Sequence, residues 1–171
     1  MPRAEATGAS LEEPVETTSM ADVRHSAEEL FSSGLFCAES VILAIAKAQG
    51  IESELLPRIA TGFCSGMARS CGACGALTGA IMAVSLILGR SSAREPVEPA
   101  YRATRRVIRE FESAFGSRDC KTLLGGCDLN TPEGRKMFKE QNLEARCLLF
   151  TGKAAEIAAR IINESDDESL G

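Results

Sequence analysis

Gly62-Phe63-Cys64-Ser65-Gly66-Met67-Ala68-Arg69-Ser70-Cys71-Gly72-Ala73-Cys74-Gly75-Ala76-Leu77-Thr78-Gly79-Ala80-Ile81-Met82-Ala83-Val84-Ser85-Leu86-Ile87-Leu88-Gly89-Arg90 is the stretch around which the chain is organised. Its first half is rich in glycine and carries Cys64, Cys71 and Cys74. Its second half, from Cys74 to Leu88, contains no charged residue. The first half reads as a reactive loop, because Gly62, Gly66 and Gly72 can take positive φ without a Cβ penalty and fold the backbone around a small site. The second half reads as a buried helix over about 74–89, in which Gly75, Ala76, Gly79, Ala80 and Ala83 let neighbouring helices approach. Glycine inside a helix costs about 1 kcal/mol relative to alanine, so Gly75 and Gly79 imply tight packing or a site. The same two glycines have the spacing of a contact between membrane helices. The charge-free run is nevertheless short of the roughly 20 residues a span needs, and Thr78 and Ser85 interrupt it, so no membrane insertion is expected.

Working outward, apolar residues recur at helical spacing and alternating strand patterns are absent. Met20, Val23, Ala27, Leu30 and Phe31 mark a first helix that stops before Gly34; Val41, Ile42, Ile45 and Ala48 mark a second, closed by Gly50. Leu55 to Ala60 reads as a short third helix that delivers the chain to the cysteine loop. Beyond the central helix, Tyr101, Thr104, Ile108, Phe111 and Phe115 form one face of a further helix, with Arg102, Arg105 and Arg109 on another. That arginine face could dock an anionic partner, or be a solvated face with local pairs such as Arg106 to Glu110. Cys120 to Cys127 reads as a short helical turn and a glycine loop. Thr131-Pro132-Glu133 is a helix start in which Thr can cap and Pro fits the first position. A last helix runs from about Leu143 to Asn163. The expected fold is all-α, a compact multi-helix bundle around the buried central helix. Residues 1–18 are expected to be a tail, 19–163 one helical domain bearing the thiols, and 164–171 an acidic, frayed tail.

At 171 residues the chain suits one domain, and a net charge of -5 argues against neutralising the phosphates of a nucleic acid. Seven cysteines are many for this length, yet the number is odd and no charged-then-apolar signal segment opens the sequence. Those features suggest a cytoplasmic protein that uses its thiols chemically, over a secreted disulfide scaffold. Cys37, Cys74, Cys120 and Cys147 each fall near a predicted helix beginning, where the positive dipole end favours thiolate over thiol. An isolated cysteine is more often a small buried hydrophobe. Cys71-x-x-Cys74 has dithiol oxidoreductase spacing without the βαβ context of that motif. Structural zinc prefers paired cysteines or cysteines with histidine, and the sole histidine, His25, sits in a polar part of the first helix. An iron–sulfur centre needs four thiolates, often from distant segments, and glycine loops whose N–H groups can bond the cluster.

Phe36-Cys37-Ala38-Glu39-Ser40-Val41, the string Cys74-Gly75-Ala76-Leu77-Thr78-Gly79, Cys120, Thr131-Pro132-Glu133-Gly134-Arg135 and Cys147 together resemble the C_GCAxxG_C_C family of redox-active proteins. The resemblance spans about Ala21 to Ile162. It implies a helical protein with redox or metal-linked thiol chemistry, in which Cys37, Cys74, Cys120 and Cys147 form the central site. Cys64, Cys71 and Cys127 are additions to the pattern; one of them could resolve a disulfide or complete a cluster.

Two mechanisms fit a redox site. In the exchange version Cys74, Cys71 and Cys37 are the reacting thiols, one attacking a disulfide and a neighbour resolving the mixed intermediate. In the electron-carrier version Cys37, Cys74, Cys120 and Cys147 hold an iron–sulfur cluster, with Cys64, Cys127, Gly75, Gly79 and Glu39 as auxiliaries. Four distant cysteines exceed what exchange requires, which favours the metal version. The competing classes are a soft-metal-binding module without catalysis and a helical interaction protein whose thiols merely pack. The expected partner is a redox protein of unnamed identity, and the small-residue face of the central helix could also serve a second copy of the chain.

Overall fold

The charge-free stretch forms a helix that can be buried on several sides, and its small residues decide how closely its neighbours approach. The computed structural model describes residues 19–169, so the expected tail over 1–18 and the final two residues lie outside the described residues. Among the described residues eight right-handed α-helices follow in order: α1 (Met20–Ser32), α2 (Cys37–Ala48), α3 (Leu55–Ala60), α4 (Gly75–Leu88), α5 (Glu98–Phe115), α6 (Cys120–Leu123), α7 (Pro132–Glu140) and α8 (Glu144–Ser169). No strand occurs among the described residues, only an isolated antiparallel bridge between Ala73 and Asp119. The fold is all-α, and none of the helices is long and apolar enough to cross a membrane.

Helix α4 lies against α2, α5 and α8, while α8 also contacts α1 and α2. The centre is therefore shared by the charge-free helix and the longest one. Gly75 and Gly79 have the packing role that their position in a helix implied. A Cβ on Gly79 would lie 2.8 Å from both the Cα and the carbonyl oxygen of Ala38, and one on Gly75 would fall on Cys37 Sγ. Their missing methyl groups let α2 and α4 pack at backbone distance. Phe111, Phe115 and Phe150 fill the space between α5 and α8 edge to face, with neighbouring centroids 4.9 and 4.8 Å apart.

Local chemistry sets the helix ends. Ser19 and Asp22 cap α1 reciprocally, the Ser19 hydroxyl accepting from the Asp22 N–H and the Asp22 carboxylate from the Ser19 N–H. Thr131 caps α7 by accepting from the Gly134 N–H, with Pro132 in the first position. Helix α5 ends at Gly116, whose φ of 77° suits a residue without Cβ.

Two expectations need correction. Positive φ in the cysteine loop was expected at Gly62, Gly66 and Gly72, yet of these only Gly66 has it. Ser65, Met67, Ala68 and Arg69 adopt φ of 54° to 70° instead, so Ser65–Arg69 closes as a left-handed turn, and Cys71 follows at 61°. The closing of this segment between α3 and the Ala73 bridge imposes a handedness that its residue types do not prefer. The last helix, expected to end near Asn163 before an acidic tail, continues to Ser169. Glu164 is not free: Arg106 of α5 and Arg160 of α8 both bind its carboxylate, and Arg160 also binds Glu110. The predicted Arg106 to Glu110 pair is present at 3.8 Å within the same group.

Candidate functional site

Cys37 opens α2, Cys74 caps the start of α4, Cys120 opens α6 and Cys147 lies in the first turns of α8. Residues separated by more than a hundred positions thus occupy equivalent places on four helices. All four line a single cavity of about 110 Å³. Phe31, Phe36, Leu124, Phe138 and Phe150 supply much of its apolar wall, and Ser65 and Glu144 contribute polar groups.

The bridge between Ala73 and Asp119 explains half of this convergence. Cys74 donates its N–H to the Arg118 carbonyl at 2.8 Å, and Cys120 donates its own to the Gly72 carbonyl at 2.9 Å. Two cysteines 46 positions apart are thereby pinned side by side just where each chain segment turns into a helix. Arg146 of α8 donates to the Leu123 carbonyl at 3.2 Å, tying the end of α6 to the helix that carries Cys147. The left-handed turn backs onto the same place: a Cβ on Gly66 would stand 2.5 Å from Cys120 Cβ. Glycine is needed there both for its φ of 66° and for its lack of side chain.

At Cys74, Cys120 and Cys147 the helix starts do not activate the thiol as expected. Burial pushes the Cys74 thiol up, although the N–H groups of Ala76 and Leu77 pull the other way. Burial, then repulsion from Cys74, raises Cys120 to about 12, and burial followed by Cys74 and Cys120 raises Cys147 to about 12. Desolvation by burial outweighs the hydrogen bonds and dipoles at these helix ends. Around Cys120 and Cys147, burial and the neighbouring Cys74 sulfur therefore favour the protonated thiol.

The remaining cysteines go elsewhere. Cys64 is buried beside Cys37, within reach of a hydrogen bond between the two side chains, and its sulfur also contacts the Ala60 carbonyl at 3.6 Å. Cys127 donates to the Gly134 carbonyl at 3.1 Å, holding the loop before α7 to that helix. Cys71 faces Asp128, whose carboxylate also pairs with Lys121 at 3.1 Å. The sulfurs of Cys71-x-x-Cys74 therefore turn to different neighbours, one toward the Asp128 pair and one into the cavity. Glu39 does not line the cavity: its carboxylate accepts from the Phe36 N–H at 2.7 Å and the Thr61 hydroxyl at 2.6 Å, closing the first turn of α2. His25 is exposed and pairs with Glu29 at 3.3 Å. Among the described residues no three His, Cys, Asp or Glu side chains gather around one metal-ion position. Sequence reasoning missed Glu144 and Ser65 at the cavity. Glu144 stands three positions before Cys147, a spacing that places both on one helical face; nothing in the sequence distinguishes Ser65.

An all-helical chain with four unpaired thiols around one buried cavity defines a helical cysteine-site protein. The chain belongs to the family described as "Putative redox-active protein (C_GCAxxG_C_C)", which it matches over residues 35–161. It is also 32% identical over 138 residues to an uncharacterised protein of Archaeoglobus fulgidus, a match covering 75% of this chain and 85% of that one. No solved structure gives a significant match.

Proposed function

We propose that the protein is an electron carrier of the reducing cytoplasm, in which Cys37, Cys74, Cys120 and Cys147 hold an iron–sulfur cluster. The observation that carries this reading is the meeting of four thiols from four helix starts at one cavity. A single zinc ion would need its sulfur donors about 2.3 Å from one point, and no such gathering occurs among the described residues. A polynuclear centre takes its thiolates on separate irons, so four cysteines lining one cavity support that reading over a mononuclear one. All seven cysteines are unpaired, which suits a reducing compartment.

When bound, such a cluster supplies reversible one-electron transfer. The chain's own residues provide the surroundings. Phe138, Phe150 and Leu124 give the cavity an apolar wall, which lowers the local dielectric around the sulfurs. The N–H groups of Ala76 and Leu77 approach Cys74 Sγ and stabilise it as an anion. Cys37, Cys74 and Cys147 stand at the starts of α2, α4 and α8, where the positive helix end favours an anionic sulfur. Loading requires the thiol protons to leave, and the raised Cys120 and Cys147 make that release depend on the incoming metal. Phe36 is 51% exposed at the cavity rim, where an electron-transfer partner would approach.

The test is the iron and sulfide content and the visible spectrum of protein purified without oxygen. Sulfur-to-iron absorbance is expected in the wild type. It should be lost in Cys74→Ser and Cys120→Ser and retained in Cys127→Ser, because Cys127 already serves the Gly134 carbonyl. Colourless, metal-free protein that takes up neither iron nor sulfide on reconstitution would rule the reading out.

A further inference from the structure

Cys64 is the buried thiol that the cluster reading leaves without a task. It is 3% exposed and does not line the cavity, yet its side chain meets that of Cys37, which does. Gly75 marks the meeting point. A Cβ there would fall on Cys37 Sγ and lie 3.1 Å from Cys64 Cα, so the absence of that side chain lets the two cysteines stand together. Cys71 and Cys127, in contrast, have partners of other kinds in Asp128 and the Gly134 carbonyl. Both are buried, but only Cys37 lines the cavity, so an incoming molecule there meets Cys37 and not Cys64.

We propose that Cys37 and Cys64 form a reversible disulfide, in which Cys37 meets an incoming low-molecular-weight disulfide and Cys64 resolves it. This bond would withdraw Cys37 from the cavity, a regulation that rests on the cluster reading above. In the first step Cys37 gives up its proton and its sulfur attacks one sulfur of the incoming disulfide. That S–S bond breaks, and one half departs as a thiol carrying a proton. Cys64 then gives up its proton and attacks Cys37 Sγ, expelling the second half as a thiol. Two electrons and two protons pass from the protein to the incoming disulfide, and one S–S bond replaces another. Bonding brings the sulfurs to about 2.0 Å. The movement falls on the short turns around Cys64, because Cys37 is fixed in the first turn of α2.

The experiment exposes reduced, full-length protein to oxidised glutathione, alkylates the remaining thiols and maps the peptides by mass spectrometry. Loss of two of the seven alkylatable thiols is expected, with Cys37 joined to Cys64 and both restored by dithiothreitol. In Cys64→Ser, glutathione should remain attached to Cys37 for want of a resolving thiol. A bond from Cys37 to another cysteine, full alkylation of Cys64 in the oxidised wild type, or glutathione retained on Cys64 would overturn the pairing. Iron and sulfide are measured separately, before and after oxidation. Absence of both before oxidation sinks the cluster reading but leaves the peptide map to decide the disulfide. Undiminished iron in protein carrying the Cys37–Cys64 bond overturns the withdrawal of Cys37.

Discussion

At Gly79 a Cβ would stand 2.8 Å from Ala38 Cα and from its carbonyl oxygen, so any side chain there must move the backbone of α2. Two effects oppose each other in Gly79→Ala. Helix propensity favours alanine by about 1 kcal/mol, while overpacking a well-filled contact costs about 1–3 kcal/mol. Because the obstacle is backbone and cannot rotate away, the cost should lie toward the upper end, for a net loss of about 1–2 kcal/mol and a fall in Tm of about 2–8 °C. Gly75→Ala collides first with a side chain, Cys37 Sγ, which can turn aside, and meets backbone only at 3.1 and 3.2 Å, at Cys64 Cα and the Phe63 carbonyl oxygen. Its stability should fall less, but its iron content should fall more, since the thiol that yields is one of the four at the cavity. Calorimetry and iron analysis on both variants would check this, and a raised Tm in Gly79→Ala would show that the helices do not approach so closely.

Among the elements, Ser65–Arg69 is the one whose handedness opposes its composition. Left-handed backbone costs a non-glycine residue about 1–2 kcal/mol, and Ala68 adopts φ 54° and ψ 39° at an exposed position. Ala68→Gly should remove that strain at a cost of about 0.4–1 kcal/mol in unfolded-chain entropy, and so raise Tm slightly. In a right-handed helix the same substitution would destabilise by about 1 kcal/mol, so the sign of the shift in a melting curve reports the hand of the turn. This turn also shows where sequence reading stops. Apolar spacing is local, and α3 was legible to its end residues, as were the cap at Thr131 and the placing of Cys37, Cys74, Cys120 and Cys147 near helix starts. Handedness at Ser65–Arg69 comes from closing the segment against Cys120 and Gly72, contacts that no local pattern encodes. Glu164 likewise reads as part of an acidic tail until Arg106, 58 positions away, is seen to hold it. The cysteines could be placed on helix starts from sequence, but their common cavity, and the turning of Cys71 away from it, depend on how the helices pack.

Across the whole molecule, the cavity joins the starts of α2, α4, α6 and α8, so the protonation of its thiols is linked to the stability of the entire fold. In the unfolded chain Cys120 and Cys147 release their protons near the ordinary value of 9.0, whereas burial and neighbouring thiols hold those protons to about 12 in the folded, metal-free protein. Between these values the folded state binds more protons than the unfolded one, so the free energy of unfolding must decrease as pH rises. The stabilisation is complete below about 9 and is lost as pH rises through about 12. Each retained proton tilts the free energy by at most about 1.4 kcal/mol per pH unit. Urea midpoints of reduced, metal-free protein should therefore fall between about pH 8 and about pH 11. Lysine and tyrosine titrate in the same range, so the comparison is with a Cys120→Ser, Cys147→Ser double variant, whose hydroxyls do not ionise there and whose midpoint should fall less steeply. Protein loaded with iron and sulfide should resemble the double variant in slope, because its cavity thiols have already given up their protons. Equal slopes for metal-free wild type and double variant, or a midpoint that rises with pH, would mean that these two sulfurs are not buried together beside Cys74.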